Sequence, residues 1–179
     1  MWSFSGSLAP EPVTSRLDLV APPVAAAIPA VADPERIGVA AIDDSLADTA
    51  AFCAHYGVEP GDSANCVIVK GRRGDVVRYA ACVVLATTRA DVNGLVRRRL
   101  DARSASFAPM EEAVSLTGME YGGITPIGLP ADWPILVDAA VAASPGVVVG
   151  AGIRGAKLFL PGAVLSALPG AEVVEGLGR

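Results

Sequence analysis

From about Ile37 onward, short apolar runs alternate with polar punctuation, and most can be read as a strand or as one face of a helix. Leu46, Thr49, Ala50, Cys53 and Tyr56 recur at helical spacing behind Asp44 or Ser45, either of which can cap the first turn. Gly57 offers that helix a positive-φ stop. After the loop Glu59–Ser63, the run Asn65–Lys70 reads as a buried strand. Gly71-Arg-Arg-Gly74 has hairpin-turn chemistry and leads into a second β-branched run, Val76–Leu85. Asp91 then caps a helix carrying Val92, Leu95, Val96 and Leu100, and a short strand is expected at Ser104–Phe107. Pro109 stands at the start of the next helix with Glu111 and Glu112 in its first turn, where acidic groups suit the helix dipole, and Gly118 ends it. The loop Tyr121–Pro130 follows, with strands at Pro134–Asp138, Gly146–Val149 and Lys157–Leu160 and a last short helix in Pro161–Leu168.

Hairpin and crossover connections both occur in this order, without a regular βαβ repeat. The expected class is a single α+β domain, a mixed β-sheet surrounded by helices. Residues 1–36 differ from the rest. They are rich in Ala and Pro and show no clear period, so they read as an N-terminal extension, drawn along the surface or partly disordered, ahead of a folded domain at 37–179.

A hydrophobic fraction of 52% in 179 residues is enough for a real core without disulfides or metal, and with aromatics at 5% that core must be built from small and β-branched side chains. Cys53, Cys66 and Cys82 form no close pairing pattern, no CxxC occurs and His55 is the single histidine, so no metal site and no cofactor is expected. The net charge of −5 disfavours broad, nonspecific contact with a phosphate backbone but leaves room for a pocket that takes one nucleotide end. Charge is uneven: Arg89, Arg97, Arg98, Arg99 and Arg103 face only Asp91 and Asp101 in their stretch, which is either a solvated helix face or a local tRNA contact patch. The first residues lack the features of a signal peptide, and the apolar segment Leu19–Ala32 is short and broken by Pro22, Pro23 and Pro29. A soluble, cytoplasmic protein without membrane contact is expected.

Conventional catalytic sets are missing. A Ser-His-Asp or Cys-His machine would have to use His55, which sits among residues that look structural. There is no GxSxG elbow, Walker A loop or dinucleotide fingerprint. What remains is Lys70 at the end of an apolar strand, and two segments rich in bare backbone. Gly122-Gly123-Ile124-Thr125-Pro126 can present N–H groups to an anion or a developing oxyanion, and Val149-Gly-Ala-Gly152 offers a second close approach. Taken singly, each reads equally well as an ordinary strand end or a tight turn.

In this order the segments resemble the YbaK family, the domain also found inserted in or standing beside prolyl-tRNA synthetases. The resemblance runs from about Ile37 to the C-terminus and rests on Val67-Ile-Val-Lys70, Leu116–Pro130, Pro134-Ile-Leu-Val-Asp138, Val149–Gly155 and Lys157-Leu-Phe-Leu160. The Thr-Gly…Gly-x-x-x-Pro-x-Gly segment is its most specific part. The resemblance implies a deacylase that clears mischarged aminoacyl-tRNA in trans, with a small amino acid such as Cys or Ala, on tRNA(Pro), as the leading substrate. It implies that Lys70 contacts the substrate end, and that Gly122 and Gly152 belong with it to the catalytic constellation. Gly123, Ile124, Thr125, Pro126 and Gly150 would line the aminoacyl pocket, and Asp138 would help position it. Mischarged aminoacyl-tRNA, and an aminoacyl-tRNA synthetase, are the implied partners. The chain departs from the pattern in having Gly71 after the lysine, where Thr or Asn is common, and Gly150 or Ala151 where a serine sometimes stands. A binding module without turnover, and a hydrolase of some other small ester, remain the alternative readings.

Overall fold

The computed structural model describes residues 2–179. Among these residues, nine strands form two sheets. The first sheet is antiparallel and contains β1 (Glu11–Pro12), β2 (Gly38–Ala41), β8 (Ala156–Leu160) and β7 (Val147–Gly150), in that spatial order. The second is mixed, in the order β5 (Ser104–Phe107), β3 (Ala64–Arg73), β4 (Val76–Leu85), β6 (Ile135–Asp138) and β9 (Ala171–Val174). In it β5, β3 and β4 are antiparallel neighbours, whereas β4, β6 and β9 run parallel. An isolated parallel bridge between Ser63 and Val148 brings the start of β3 beside β7, where the two sheets meet.

The helices are short: α1 (Pro22–Ala27), α2 (Thr49–Tyr56), α3 (Arg97–Arg99), α4 (Met110–Thr117), α5 (Ala139–Ala142) and α6 (Gly162–Ser166). The glycine stops read from the sequence have a physical counterpart, but the expected cap at Asp44 or Ser45 does not: Asp44–Leu46 form a separate 3-10 turn capped by Asp43, and α2 begins at Thr49 behind Asp48. Gly57 and Gly118 end α2 and α4 at φ 71° and 68°, the left-handed region that glycine enters without a Cβ penalty. Asp91 accepts hydrogen bonds from the N–H groups of Gly94 and Leu95, but the turn it caps, Val92–Val96, is π-type and passes into α3.

Strand β4 explains why its run is continuously apolar. Ala81 and Val83 face the main core, while Ala80, Cys82 and Val84 face a second cluster with Val96, Leu100 and Leu177. A strand buried on both faces loses the period-2 alternation. A third cluster packs α2 against the first sheet through Phe52, Val148 and Phe159.

The fold is the expected single α+β domain, with differences in detail. The strands divide between two sheets rather than one. The β3–β4 turn lies at Gly74-Asp75, with Arg73 opposite Val76, so Gly71 belongs to the strand. A Cβ built on Gly71 would stand 2.9 Å from the Ala102 Cβ, so close packing beneath the arginine-bearing turn, not reversal of the chain, accounts for that glycine. The described part of the N-terminal segment is neither a surface strap nor disordered. Val13, Val20, Ala21, Val24 and Ile28 are buried in the main core, and Trp2 and Phe4 pack on the third cluster. Its lack of period follows from a succession of one-turn 3-10 segments and the short α1, none long enough to print a helical repeat.

Candidate functional site

A cavity of about 580 Å³ opens beside the junction of the sheets. That volume lies in the usual range for small-ligand sites. Its floor is the start of β3, Ala64–Ile68, and its sides come from Ala47–Thr49 at the head of α2, Phe107 at the end of β5 with Ala108 after it, and Ala113 of α4. Tyr121, Gly122 and Ile124 of the long loop, Gly150 at the end of β7, and Arg154 and Lys157 complete it.

The two glycine segments meet here. Gly152 N–H donates to Gly123 O at 2.7 Å, and Glu120 N–H donates to Gly152 O at 2.9 Å. A Cβ on Gly150 would lie 2.4 Å from Gly123 O, and one on Gly123 would lie 2.6 Å from the Ile153 carbonyl. Both positions are therefore glycine because backbone meets backbone. Among the described residues, the N–H groups of Gly122 and Ile124 have no protein acceptor. The N-terminal segment buttresses this pairing from behind. Ala21 N–H donates to Ala151 O at 3.0 Å, a Gly152 Cβ would meet the Ala21 Cβ at 2.5 Å, and a Gly128 Cβ would meet Pro23 O at 2.5 Å.

The chain has two lysines, and of these Lys157 lines the cavity while Lys70 does not. Lys70, which the family resemblance puts at the substrate end, does not line the cavity. Its ammonium lies 2.8 Å from Glu112 Oε1, and the Tyr79 hydroxyl donates to the same carboxylate. Tyr79 in turn stacks on Trp133, with ring centroids 5.1 Å apart. Strand geometry gives the reason. Lys70 follows Cys66 and Ile68 on one face of β3, but two residues further on that face lies under α4, where Glu112 captures it.

Lys157 does line the cavity, and residue spacing carried no signal for it beyond its place in a strand. It is 8% exposed, donates from Nζ to Ala47 O at 3.0 Å, and lies 5.2 Å from the Phe52 ring centroid. No carboxylate is within ion-pair distance of it among the described residues. Burial lowers its pKa from the ordinary lysine value, because a desolvated ammonium is disfavoured; Arg154 acts in the same direction, and Cys53 and Asp48 nearby oppose it without reversing it. Thr49 donates to Asn65 Oδ1 at 2.8 Å across the wall, and Arg154 is held by the carbonyls of Tyr121 and Asp44 at 3.3 and 3.1 Å.

The other expected site residues separate into two groups. Gly122, Ile124 and Gly150 line the cavity. Gly123 and Gly152 lie behind that wall and hold it together, and Thr125 and Pro126 are buried away from it, Thr125 with an Oγ1 that has no hydrogen-bond partner. Asp138 caps α5 through Ala140 N–H at 3.2 Å and accepts from Gly178 N–H at 3.0 Å, a structural tie between β6 and the C-terminus. Cys66 is in the cavity wall, but burial pushes its thiol far above the ordinary range, so it offers no thiolate. His55 is exposed on α2 and touches no wall of the cavity.

Two small sheets meeting at a cavity lined by glycine loops define the architectural class. The chain belongs to the aminoacyl-tRNA editing domain family, whose model matches residues 43–168. Among solved structures, one described as a candidate trans-editing enzyme for prolyl tRNA synthetase is 22% identical, with a TM-score of 0.71 over 94% of this chain and 98% of that one. A scaffold protein used in computational epitope backbone grafting is 23% identical, with a TM-score of 0.74 over 89% and 97% of the two chains. A hypothetical protein is 23% identical with a TM-score of 0.68 over 79% and 90%. At these identities the likeness is one of fold. No curated protein matches the chain significantly. No helix among the described residues is long and apolar enough to cross a membrane, and no group of three or more His, Cys, Asp and Glu among them could hold a metal ion.

Proposed function

We propose that the cavity receives the aminoacyl end of a mischarged tRNA and that the chain hydrolyses the ester in trans. The observation that carries this reading is the cavity wall itself. Gly122 and Ile124, whose N–H groups have no protein acceptor among the described residues, line it together with Lys157, a buried amine with no carboxylate within ion-pair distance. An aminoacyl ester is already activated, so a site can work by orienting it and stabilising the oxyanion, without a protein nucleophile. Water attacks the ester carbonyl, and the two N–H groups stabilise the resulting oxyanion. Lys157, its pKa lowered by burial, takes the proton from water as a neutral amine and returns it to the departing ribose oxygen. Gly150 and Gly123 hold the oxyanion donors in place, and Gly152, Thr125 and Pro126 act as their framework, whereas Asp138 ties β6 to α5 and the C-terminus. Lys70 anchors β3 to α4 and takes no direct part.

The proposed substrate is a small amino acid such as Cys or Ala on tRNA(Pro), a choice supported by the likeness to the candidate trans-editing enzyme for prolyl tRNA synthetase and by the aliphatic Ile124 in the wall. The test is release of labelled amino acid from a panel of mischarged tRNAs, against a no-enzyme control. Loss of general-base catalysis predicts that Lys157→Ala slows release by about 10²–10⁴-fold. The rate of the unaltered chain should rise with pH through a value below that of ordinary lysine and then level, since the neutral amine is the active form. Lys157→Ala should remove that limb, and Lys70→Ala should stay within a few-fold of normal. Full activity of a folded Lys157→Ala variant would refute the mechanism. The second reading, binding without turnover, is favoured by the capture of Lys70 by Glu112, and would appear as tight binding with no amino acid released.

A further inference from the structure

Two exposed aromatic side chains stand at the rim of the cavity. Phe107 is 61% exposed and Tyr121 56%, and both contribute to the lining. Isolated large apolar side chains on a surface need no explanation, but two exposed aromatics lining one cavity offer faces on which flat groups can stack. Phe107 ends β5, the edge strand of the mixed sheet. At the other end of the same strand is the arginine cluster. Arg103 N–H donates to Arg72 O at 2.9 Å, and Ala102 N–H donates to Arg97 O at 3.0 Å, which joins the β3 end, the β5 start and α3 into one surface. Arg73 and Arg99 are paired to Asp101 and Glu172, each at 2.9 or 2.8 Å. Arg72, Arg97, Arg98 and Arg103 have no carboxylate within ion-pair distance among the described residues. In a chain of net charge −5, this concentration of unpaired guanidinium groups is out of keeping with the rest of the molecule.

We infer that the edge strand β5 is a track for the 3′ end of the RNA. Its unpaired terminal nucleotides stack on Phe107 and Tyr121 as the aminoacyl group enters the cavity, and the phosphates of the adjoining stem lie on Arg72, Arg97, Arg98 and Arg103. The distances agree. Arg103 and Phe107 are four residues apart, about 13 Å along a strand, a span that a few successive nucleotides can cover. Aromatic faces accept any base, whereas guanidinium groups read phosphate without regard to sequence, so the track recognises the end of a tRNA as such and leaves amino-acid choice to the cavity. A phosphate backbone supplies a regularly spaced counter-charge for guanidinium groups that the chain itself leaves unpaired.

This inference rests on the tRNA substrate proposed above, and the test separates the two. Binding of the full chain is measured to an uncharged RNA hairpin ending in unpaired CCA, and to the same hairpin without those three nucleotides. Phe107→Ala and Tyr121→Ala should each weaken binding of the CCA hairpin by about 5- to 150-fold, the range for loss of one base–aromatic stack, and leave the blunt hairpin unaffected. Arg98→Ala and Arg103→Ala should weaken both hairpins and each lower the slope of log affinity against log salt by roughly 1. All four side chains are exposed, so thermal melts of the variants should match that of the unaltered chain. If Phe107→Ala and Tyr121→Ala bind the CCA hairpin normally, or the salt slope is indifferent to both arginines, the track is refuted whatever the deacylation result. If the unaltered chain binds neither hairpin, the track is likewise refuted. If the binding losses occur while no mischarged tRNA is deacylated, the track stands and the hydrolase reading falls.

Discussion

Replacing Gly150 by alanine tests whether the two glycine segments form one wall. Gly150 ends β7 opposite Lys157 of β8, so its backbone is held by the ladder and cannot retreat. The φ angle at this position is not positive, so alanine is locally acceptable and the added methyl is the whole perturbation. That methyl would lie 2.4 Å from Gly123 O, 2.8 Å from its carbonyl carbon and 2.9 Å from Ile124 O. An ordinary contact is about 3.5 Å or more, so the long loop must move outward by about 1 Å. Forced overpacking of this kind costs about 1–3 kcal/mol. Distorting the 2.7 Å hydrogen bond from Gly152 N–H to Gly123 O adds about 1 kcal/mol. The sum, about 2–4 kcal/mol, corresponds to a Tm lower by about 4–16 °C for a chain of this length. Displacing the Gly122 and Ile124 N–H groups by a similar distance predicts a further loss of about 10²-fold in deacylation. Gly155→Ala is the control, because nothing lies within 4 Å of its Cβ position and its φ is not positive; it should stay within about 0.5 kcal/mol of the unaltered chain. The measurements are a thermal melt followed by circular dichroism and release of labelled amino acid. If Gly150→Ala melts and turns over like Gly155→Ala, the two loops do not support one another and the description of the wall is wrong.

Ile28→Ala should cost about 2–5 kcal/mol in urea unfolding, because Ile28 is 1% exposed in the main core even though it precedes the family-matched stretch; a loss below about 0.5 kcal/mol would mean that the N-terminal segment is not part of the cooperative unit. Asp138→Ala should cost about 1–2 kcal/mol through loss of the α5 cap, with faster hydrogen exchange at Ala140 and Gly178, whose N–H groups it accepts, and no direct effect on the cavity. Unchanged exchange at both amides would show that the carboxylate does not hold them.

Much of the fold can be read from the chain because the signals are local. Gly57 and Gly118 mark helix ends, Asp91 marks a turn, and the apolar runs of β3, β4 and β6 mark strands, since caps and periods depend on residues a few positions apart. Elements too short to show a period were illegible: α1, α5, β1 and β9 have between two and six residues, and their structure comes from what they pack against. Gly71 illustrates the limit. Its sequence context suggests a turn, and the true reason for glycine there, contact with Ala102 and Leu100, lies about thirty positions away in the chain.

For the site, the sequence by itself determined the family resemblance, the two glycine segments and the absence of a conventional nucleophile set, because these are properties of residue type and order. Tertiary structure alone decided which groups share the cavity. Lys70 and Lys157 are indistinguishable as strand lysines. Glu112, forty-two positions after Lys70, draws one away from the cavity, and the junction of two sheets buries the other in its wall. In the same way, Gly150 and Gly123 look like separate loop glycines until the fold brings their backbones together. The reason is range: local hydrogen bonding and periodicity act over a few residues, whereas desolvation of an amine and steric contact between two loops depend on neighbours that only the folded chain supplies.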